Sequence, residues 1–270
     1  MKPIPTAYLQ GQVAIVTGST QGLGTDIARQ LLDAGASVML VGRNRAAGAA
    51  LASELGERCR FVACNVELDE DIDGCIDATL AAFGRLDILV NNACVYDDQG
   101  LQSDREQWLK TLNINLVSAA IFVQKATPHM TEGGTVINIG STGGKFGTAG
   151  RALYPASKAG ILQLTRNLAV SLAPASIRVI SVSPAWTWSP GVATMSGGDI
   201  AVADRVGAAF HPLGRVGRGE EIGQVVAFLC SQGASWITGV DIPVDGGFSI
   251  LGPDQGISPR VWFERLRDTV

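Results

Sequence analysis

Residues 12–17 (QVAIVT) form a short, β-rich apolar run that breaks into Gly18-Ser19-Thr20-Gln21-Gly22-Leu23-Gly24. Ile27, Ala28, Leu31 and Leu32 then recur at helical spacing, Gly35 closes that helix, and residues 37–41 (SVMLV) resume a β-rich run. A strand, a glycine turn, a helix and a second strand make a βαβ unit, which packs its crossover helix against a parallel sheet. Glycines in the first turn let a ligand approach the backbone, and the turn aims free N–H groups and the positive end of the helix at an anion such as a pyrophosphate. This unit restricts the chain to an α/β fold that carries a dinucleotide.

The remaining patterns extend that unit. Strands are predicted at residues 60–66, 87–90, 134–140 and 177–182, with helices at 69–83, 108–126 and 220–231, and residues 237–247 end the fold. Pro128 marks the end of the long 108–126 helix. The chain has 270 residues, 46% hydrophobic and 17% charged, enough apolar material for one large α/β domain and too little charge for disorder. A net charge of −4 supplies no field for nucleic acid. No apolar run approaches the ~20 residues that span a bilayer, and residues 1–10 contain no signal-peptide core. The five cysteines are scattered with no CxxC pair, which reads as reduced thiols in a cytoplasmic protein, and two histidines far apart in sequence supply a metal site poorly.

The second strand ends in Gly42-Arg43-Asn44. A domain that prefers NAD places an acidic residue there for the ribose 2′-hydroxyl. The acid is missing and a guanidinium follows, so the expected cofactor is NADP(H), with NAD(H) the second choice. Arg43 grips the 2′-phosphate in this reading, with Asn44 beside it. Further on, Tyr154 and Lys158 stand four residues apart, on one face of a helix. Ser141 follows the 134–140 strand, at the carboxyl edge where open α/β sheets bind ligands. A phenol with a free pKa of about 10 needs positive charge beside it to act as a base near neutrality, and Lys158 supplies that charge. Ser141 orients the substrate oxygen. Its rival role as a hydrolase nucleophile lacks the Gly-x-Ser-x-Gly elbow, since the local sequence is IGSTG.

Thr17 with the GxxxGxG turn, Asn91-Asn92-Ala93 after the fourth strand, Ser141, and Tyr154-Pro155-Ala156-Ser157-Lys158 occur in the order found in the short-chain dehydrogenase/reductase family, which the chain resembles from about residue 12 to residue 248. The resemblance implies a single doubly wound, Rossmann-like domain with a seven-stranded parallel sheet in a three-layer α/β/α sandwich. It implies reversible hydride transfer between the nicotinamide and a secondary alcohol or ketone, without metal, and a homo-oligomer, commonly a tetramer. The cofactor contacts it implies are Gly18, Ser19, Thr20, Gln21, Gly22, Leu23, Gly24, Asn65, Val66, Asn92 and Ala93, together with Tyr154, Lys158, Pro184, Ala185 and Thr187. Asn115 is the asparagine that holds a water near Lys158, with Asn113 as its competitor. Phe146, Trp186, Trp188 and Met195 are expected beside the substrate, with packing in the core as the alternative for one of the tryptophans. The weakly patterned residues 191–210 correspond to a substrate lid, and residues 250–270 form an extension that covers either a pocket or a neighbouring subunit. Cys94 and Ala185 stand where the family carries glycine, Cys94 reading as a space-filling thiol rather than a catalytic one. An NAD-dependent dehydrogenase of a cyclic alcohol or diol, an epimerase or dehydratase with a retained cofactor, and a non-catalytic dinucleotide sensor are the alternatives.

Overall fold

The computed structural model describes residues 7–131, 133–252 and 254–267. Six residues at the amino terminus, Pro253, and residues 268–270 of the extension lie outside the described residues, as does Glu132. Seven strands alternate with helices: β1 (Val13–Thr17), α1 (Gly22–Asp33), β2 (Ser37–Gly42), α2 (Arg45–Leu55), β3 (Cys59–Ala63), α3 (Asp69–Phe83), β4 (Ile88–Asn91), α4 (Arg105–Leu112), α5 (Ser118–Ala126), β5 (Gly134–Ile139), α6 (Leu153–Leu172), β6 (Ile177–Pro184), α7 (Pro190–Met195), α8 (Ile200–Gly207), α9 (Gly219–Cys230), β7 (Asp241–Val244) and α10 (Pro259–Leu266). All pairings are parallel, in the order β3-β2-β1-β4-β5-β6-β7. The order reverses between β1 and β4, and the crevice outside the strand ends at that point is where such sheets bind ligands.

The run of apolar residues in β1 and β4 follows from burial on both faces. One face packs Val16, Val90 and Ile180 against Ile27, Leu31, Ile222 and Val226 of α1 and α9. The other packs Ile15, Leu89 and Val136 against Ile72, Phe122 and Ala169 of α3, α5 and α6. The amphipathic spacing read in each helix is what turns these residues inward. No helix among the described residues is long and apolar enough to cross a membrane. All five cysteines are free. Burial pushes Cys59 up to about 11 and Cys64 and Cys230 up to about 12, so these thiols stay protonated and unreactive.

Several boundaries differ from the sequence reading. β3 begins at Cys59 and ends at Ala63, opposite Gly42, because β2 offers no partner beyond that glycine. β7 begins only at Asp241, since Gly239 takes a left-handed φ of +69° and turns the preceding residues out of the ladder. Alanine-rich α2, absent from the sequence reading, has little amphipathic contrast; the Asn44 side chain caps it, its Oδ1 accepting from the Ala47 amide at 3.0 Å. The long helix expected at 108–126 starts at Arg105, capped by Asp104, and is interrupted by a wide π-helical turn at Asn113–Val117. Residues 191–210 contain α7 and α8, each capped by its own side chain, Ser189 and Asp199.

A polar ladder crosses the core beneath the strand ends. Asn91 Nδ2 donates to Asn138 Oδ1 at 2.9 Å, and Asn138 Nδ2 donates to Thr165 Oγ1 at 2.9 Å, tying β4, β5 and α6 together. Both Asn138 and Thr165 are buried. Truncating one member of such a ladder strands the others, at about 1–3 kcal/mol. Asn138→Ala is therefore expected to lower the unfolding free energy by that amount in a denaturant titration, and an unchanged midpoint would show that the ladder contributes nothing.

Candidate active site

The glycine turn is held from β4. Thr17 Oγ1 donates to the Val90 carbonyl at 3.3 Å and accepts from the amides of Asn92 and Ala93 at 2.9 and 3.0 Å. Asn92 Nδ2 donates to the Thr17 and Gly18 carbonyls at 2.8 and 3.0 Å. A Cβ on Gly24 would lie 2.4 Å from the Gly18 carbonyl oxygen and 2.6 Å from Asn92 Nδ2, so the turn closes only around glycine. Ser19 is buried, with its hydroxyl donating to the Val16 carbonyl and accepting from the Val41 amide. Gln21 caps α1 without a side-chain bond, which leaves the first amides of that helix facing outward. They open on a cleft of about 540 Å³ lined by Thr20, Gln21, Gly22, Trp188 and Pro190. These features fit the phosphates of a dinucleotide. The side chains of Ser19 and Asn92 shape the turn.

At the end of β2, a Cβ on Gly42 would lie 2.7 Å from Thr20 Cγ2, so Thr20 fills the space from which an acidic side chain would start. Arg43 is exposed beside it, and the Asn44 side chain is committed to capping α2. Past β3, Asn65 is held in a local turn, its amide donating to Asp71 at 2.7 Å, and Val66 packs against the core.

Ser141, Tyr154 and Lys158 meet at the end of β5. Ser141 opens a single 3₁₀ turn, Thr142–Gly144, and its Oγ accepts from the Gly143 amide at 3.0 Å, which leaves the hydroxyl proton to donate elsewhere. A Cβ on Gly143 would sit 3.3 Å from Ser141 Oγ and 3.5 Å from Tyr154 Cε1, so the serine hydroxyl and the tyrosine ring flank the same glycine. A Cβ on Gly144 would strike the Lys158 backbone at 2.8 Å, which is how closely the turn packs on α6. Lys158 is buried, its Nζ donates to the Ile139 carbonyl at 2.7 Å, and it lies 5.6 Å from the Tyr154 ring centroid. The Arg151 guanidinium lies 5.3 Å from the same centroid. The phenol is thus flanked by two cations, at distances where a ring and a cation attract.

Sequence reasoning missed the strap that crosses this helix. Asn115, rather than Asn113, is the buried asparagine, and it grips Val95 by both backbone groups: Oδ1 accepts from the amide at 2.8 Å and Nδ2 donates to the carbonyl at 3.0 Å. Its Nδ2 also donates to Ser157 Oγ at 3.1 Å. Three residues on, the shielded carboxylate of Asp98 accepts from the amides of Gly100, Ala152 and Tyr154 at 2.9–3.0 Å. Between these anchors Tyr96 stacks on Tyr154, with centroids 5.0 Å apart and planes 28° apart. Tyr96 is 66% exposed as a residue, while its hydroxyl end is desolvated. That desolvation, with Cys94 and Tyr154 beside the hydroxyl, holds its phenol above the ordinary tyrosine range. A Tyr and two Asp after a strand look like any polar loop, so the sequence carried no signal for this arrangement beyond the proximity to Asn92.

The expected substrate residues are only partly brought together. Phe146 meets Phe248 edge-on at 6.1 Å, and Trp186 lies 4.9 Å from Phe210, each 41% exposed. Lys145, just before Phe146, pairs with Asp241 of β7, whose other oxygen accepts from Ser183 at 2.6 Å. Pro184 ends β6, Ala185 follows it, and Thr187 donates to the Ala185 carbonyl at 3.2 Å. Trp188 lines the cleft beside the glycine turn, and Met195 is 82% exposed at the end of α7.

Burial works to raise the Asp98 pKa and is outweighed by the amides of Gly100, Ala152, Tyr154 and Leu153, which bring it to about 2. A depressed carboxylate stabilises the fold above its unfolded pKa and ceases to do so as pH falls through the folded one. Asp98→Asn is therefore expected to lower the melting temperature relative to the parent by a constant amount above about pH 4, and the gap is expected to close between there and about pH 2. A gap independent of pH down to 2 would contradict the anchoring role.

A family model described as enoyl-(acyl carrier protein) reductase matches residues 18–249. The chain is 34% identical over 246 residues to cis-4-hydroxycyclohexanecarboxylate dehydrogenase of Sinomonas cyclohexanicum, covering 89% of this chain and 97% of that one. It is 34% identical over 266 residues to L-fucose dehydrogenase of Oryctolagus cuniculus, covering 96% and 91%. It is also 34% identical over 249 residues to the 3-oxoacyl-(acyl-carrier-protein) reductase of Aquifex aeolicus, covering 88% and 98%. With a seven-stranded parallel sheet and Ser141, Tyr154 and Lys158 gathered at its carboxyl edge, the chain belongs to the short-chain dehydrogenase/reductase family of oxidoreductases that act on alcohols and ketones.

Proposed function

We propose that the protein interconverts a secondary alcohol and a ketone with NADP(H), the alcohol being carried on a ring. The observation that carries the reaction is the Tyr154 phenol set over the buried Lys158 ammonium at 5.6 Å, with the Ser141 hydroxyl on the other side of Gly143. The dinucleotide, held by the 18–24 turn, Arg43 and the residues after β4 and β6, supplies or accepts the hydride when bound. The chain's own groups handle the proton and the geometry. In reduction, Ser141 donates a hydrogen bond to the carbonyl oxygen and fixes its direction. Tyr154 gives its hydroxyl proton to that oxygen as the carbonyl carbon becomes tetrahedral. Lys158, anchored by the Ile139 carbonyl, keeps positive charge where the phenolate forms. In oxidation the phenol oxygen takes the proton back.

The preference for NADP(H) rests on Gly42 and Thr20. An aspartate at 42 would collide with Thr20, and Arg43 extends into solvent beside it. A ring-shaped substrate is supported by the exposed aromatic faces of Tyr96, Phe146 and Trp186, and by relatives named for a hydroxycyclohexane carboxylate and for fucose.

Tyr154→Phe is expected to reduce ketone reduction by NADPH about 10²–10⁴-fold, the range for losing a positioned acid, and unchanged turnover would remove Tyr154 from the chemistry. Arg43→Ala is expected to raise KM for NADPH at least tenfold while leaving KM for NADH within about twofold, since a charge-assisted phosphate contact contributes roughly 1.5–3 kcal/mol. Equal effects on the two cofactors would overturn the 2′-phosphate contact.

A further inference from the structure

Aspartate is disfavoured in strands, yet Asp241 opens β7, the edge strand of the sheet, with its side chain only 10% exposed. Its two carboxylate oxygens are spent in different directions. Oδ1 accepts from Ser183 Oγ of β6 at 2.6 Å, and Oδ2 takes the Lys145 ammonium in an ion pair at 2.5 Å. Both partners lead to Ser141. Ser183 is fully buried, and a Cβ on Gly140 would lie 2.5 Å from its Oγ, so the residue just before Ser141 is seated on the hydroxyl that Asp241 orients. Lys145 closes the 3₁₀ turn that Ser141 opens, its amide donating to the Thr142 carbonyl at 3.0 Å.

Among the described residues, the one hydrogen-bond partner of Ser141 Oγ is the Gly143 amide, inside the same turn. The direction of the hydroxyl therefore follows the turn as a whole. From one side α6 bears on that turn at Gly144. From the sheet, Asp241 bears on the residues at both of its ends. We infer that Asp241 is a positioning residue for Ser141: one carboxylate on the edge strand fixes the chain on either side of the serine and so sets the line along which its hydroxyl meets the substrate oxygen. The charge matters as well as the shape. An amide at 241 could still accept from Ser183, but it would present no charge to Lys145, whose flexible, strongly hydrated ammonium would turn to solvent. The inference rests on the role given to Ser141 in the ketone–alcohol reading, and it adds no chemical step.

The test is a double-mutant cycle on the reduction of cyclohexanone by NADPH, with Asp241→Asn and Ser141→Ala. In the parent background Asp241→Asn is expected to lower kcat about tenfold, within the roughly 10²-fold that a catalytic group misplaced by about 1 Å can cost, with KM for NADPH changed less than about twofold. In the Ser141→Ala background the same substitution is expected to lower the residual rate by less than about twofold, because the group it positions is already gone. A variant that only weakened the fold would lower both rates alike. Equal losses in the two backgrounds, or no loss in the parent, overturn the inference. If Asp241→Asn does not fold, Lys145→Met removes the other half of the ion pair and is expected to show the same coupling to Ser141; additive losses count against the inference. If the parent does not reduce cyclohexanone, it is the ketone–alcohol reading that fails. In that case, and where Ser141→Ala leaves no measurable rate, amide hydrogen exchange decides the positioning role. Asp241→Asn is then expected to speed exchange in residues 140–146 about tenfold while residues 18–24 stay as in the parent, and unchanged exchange, or a rise in both segments alike, overturns it.

Discussion

Burying an ammonium is costly unless its donors are satisfied, and the site is built around one such group. Lys158 is buried beside the Tyr154 ring, and the Ile139 carbonyl, the last of β5, accepts from it at 2.7 Å. That bond needs α6 to approach the strand end closely, which Gly144 permits by presenting no Cβ to the Lys158 backbone. The same approach sets Ser141, at the head of the Thr142–Gly144 turn, against the Tyr154 ring. One requirement, an acceptor for a buried cation, thus fixes the distance between the strand that carries the serine and the helix that carries the tyrosine.

The second half of the site is fixed from the opposite side of the sheet reversal. Thr17 and Asn92 stitch the glycine turn to the end of β4, so the cofactor cradle and the strap that follows β4 are one continuous piece of bonded backbone. Asn115 and Asp98 then bind that strap to α6. None of the bonds that join the glycine turn, the strap and α6 involves β6 or β7.

What the sequence made legible was whatever depends on local period and on glycine. Both hydrophobic faces, the βαβ unit, the turn at 18–24 and the 154/158 pair followed from spacing. Alanine-rich α2 escaped because its two faces differ little in polarity. The strap escaped for another reason: Asp98 meets Tyr154 across 56 positions and Asn115 meets Val95 across 20, and no local pattern encodes such partners. Trp188 and Trp186 look alike in sequence, two residues apart, yet the first lines the cleft of the glycine turn and the second packs on Phe210. The missing acid at the end of β2 was legible in the sequence, whereas the closeness of Thr20 to the Gly42 backbone appears only in the folded chain.

The wide turn at Asn113–Val117 adds a matter of phase. A π turn spends one residue more than an α turn, and each residue of an α-helix advances about 100° around its axis. The buried stripe of α5, Ala119, Phe122, Val123 and Ala126, faces the core only because of that extra residue. A continuous α-helix through 105–126 could keep either the α4 contacts or the α5 contacts in register, but not both, and it would swing Asn115 away from Val95. The helix is in effect two helices clocked against each other, and the asparagine that steadies the active site occupies the joint.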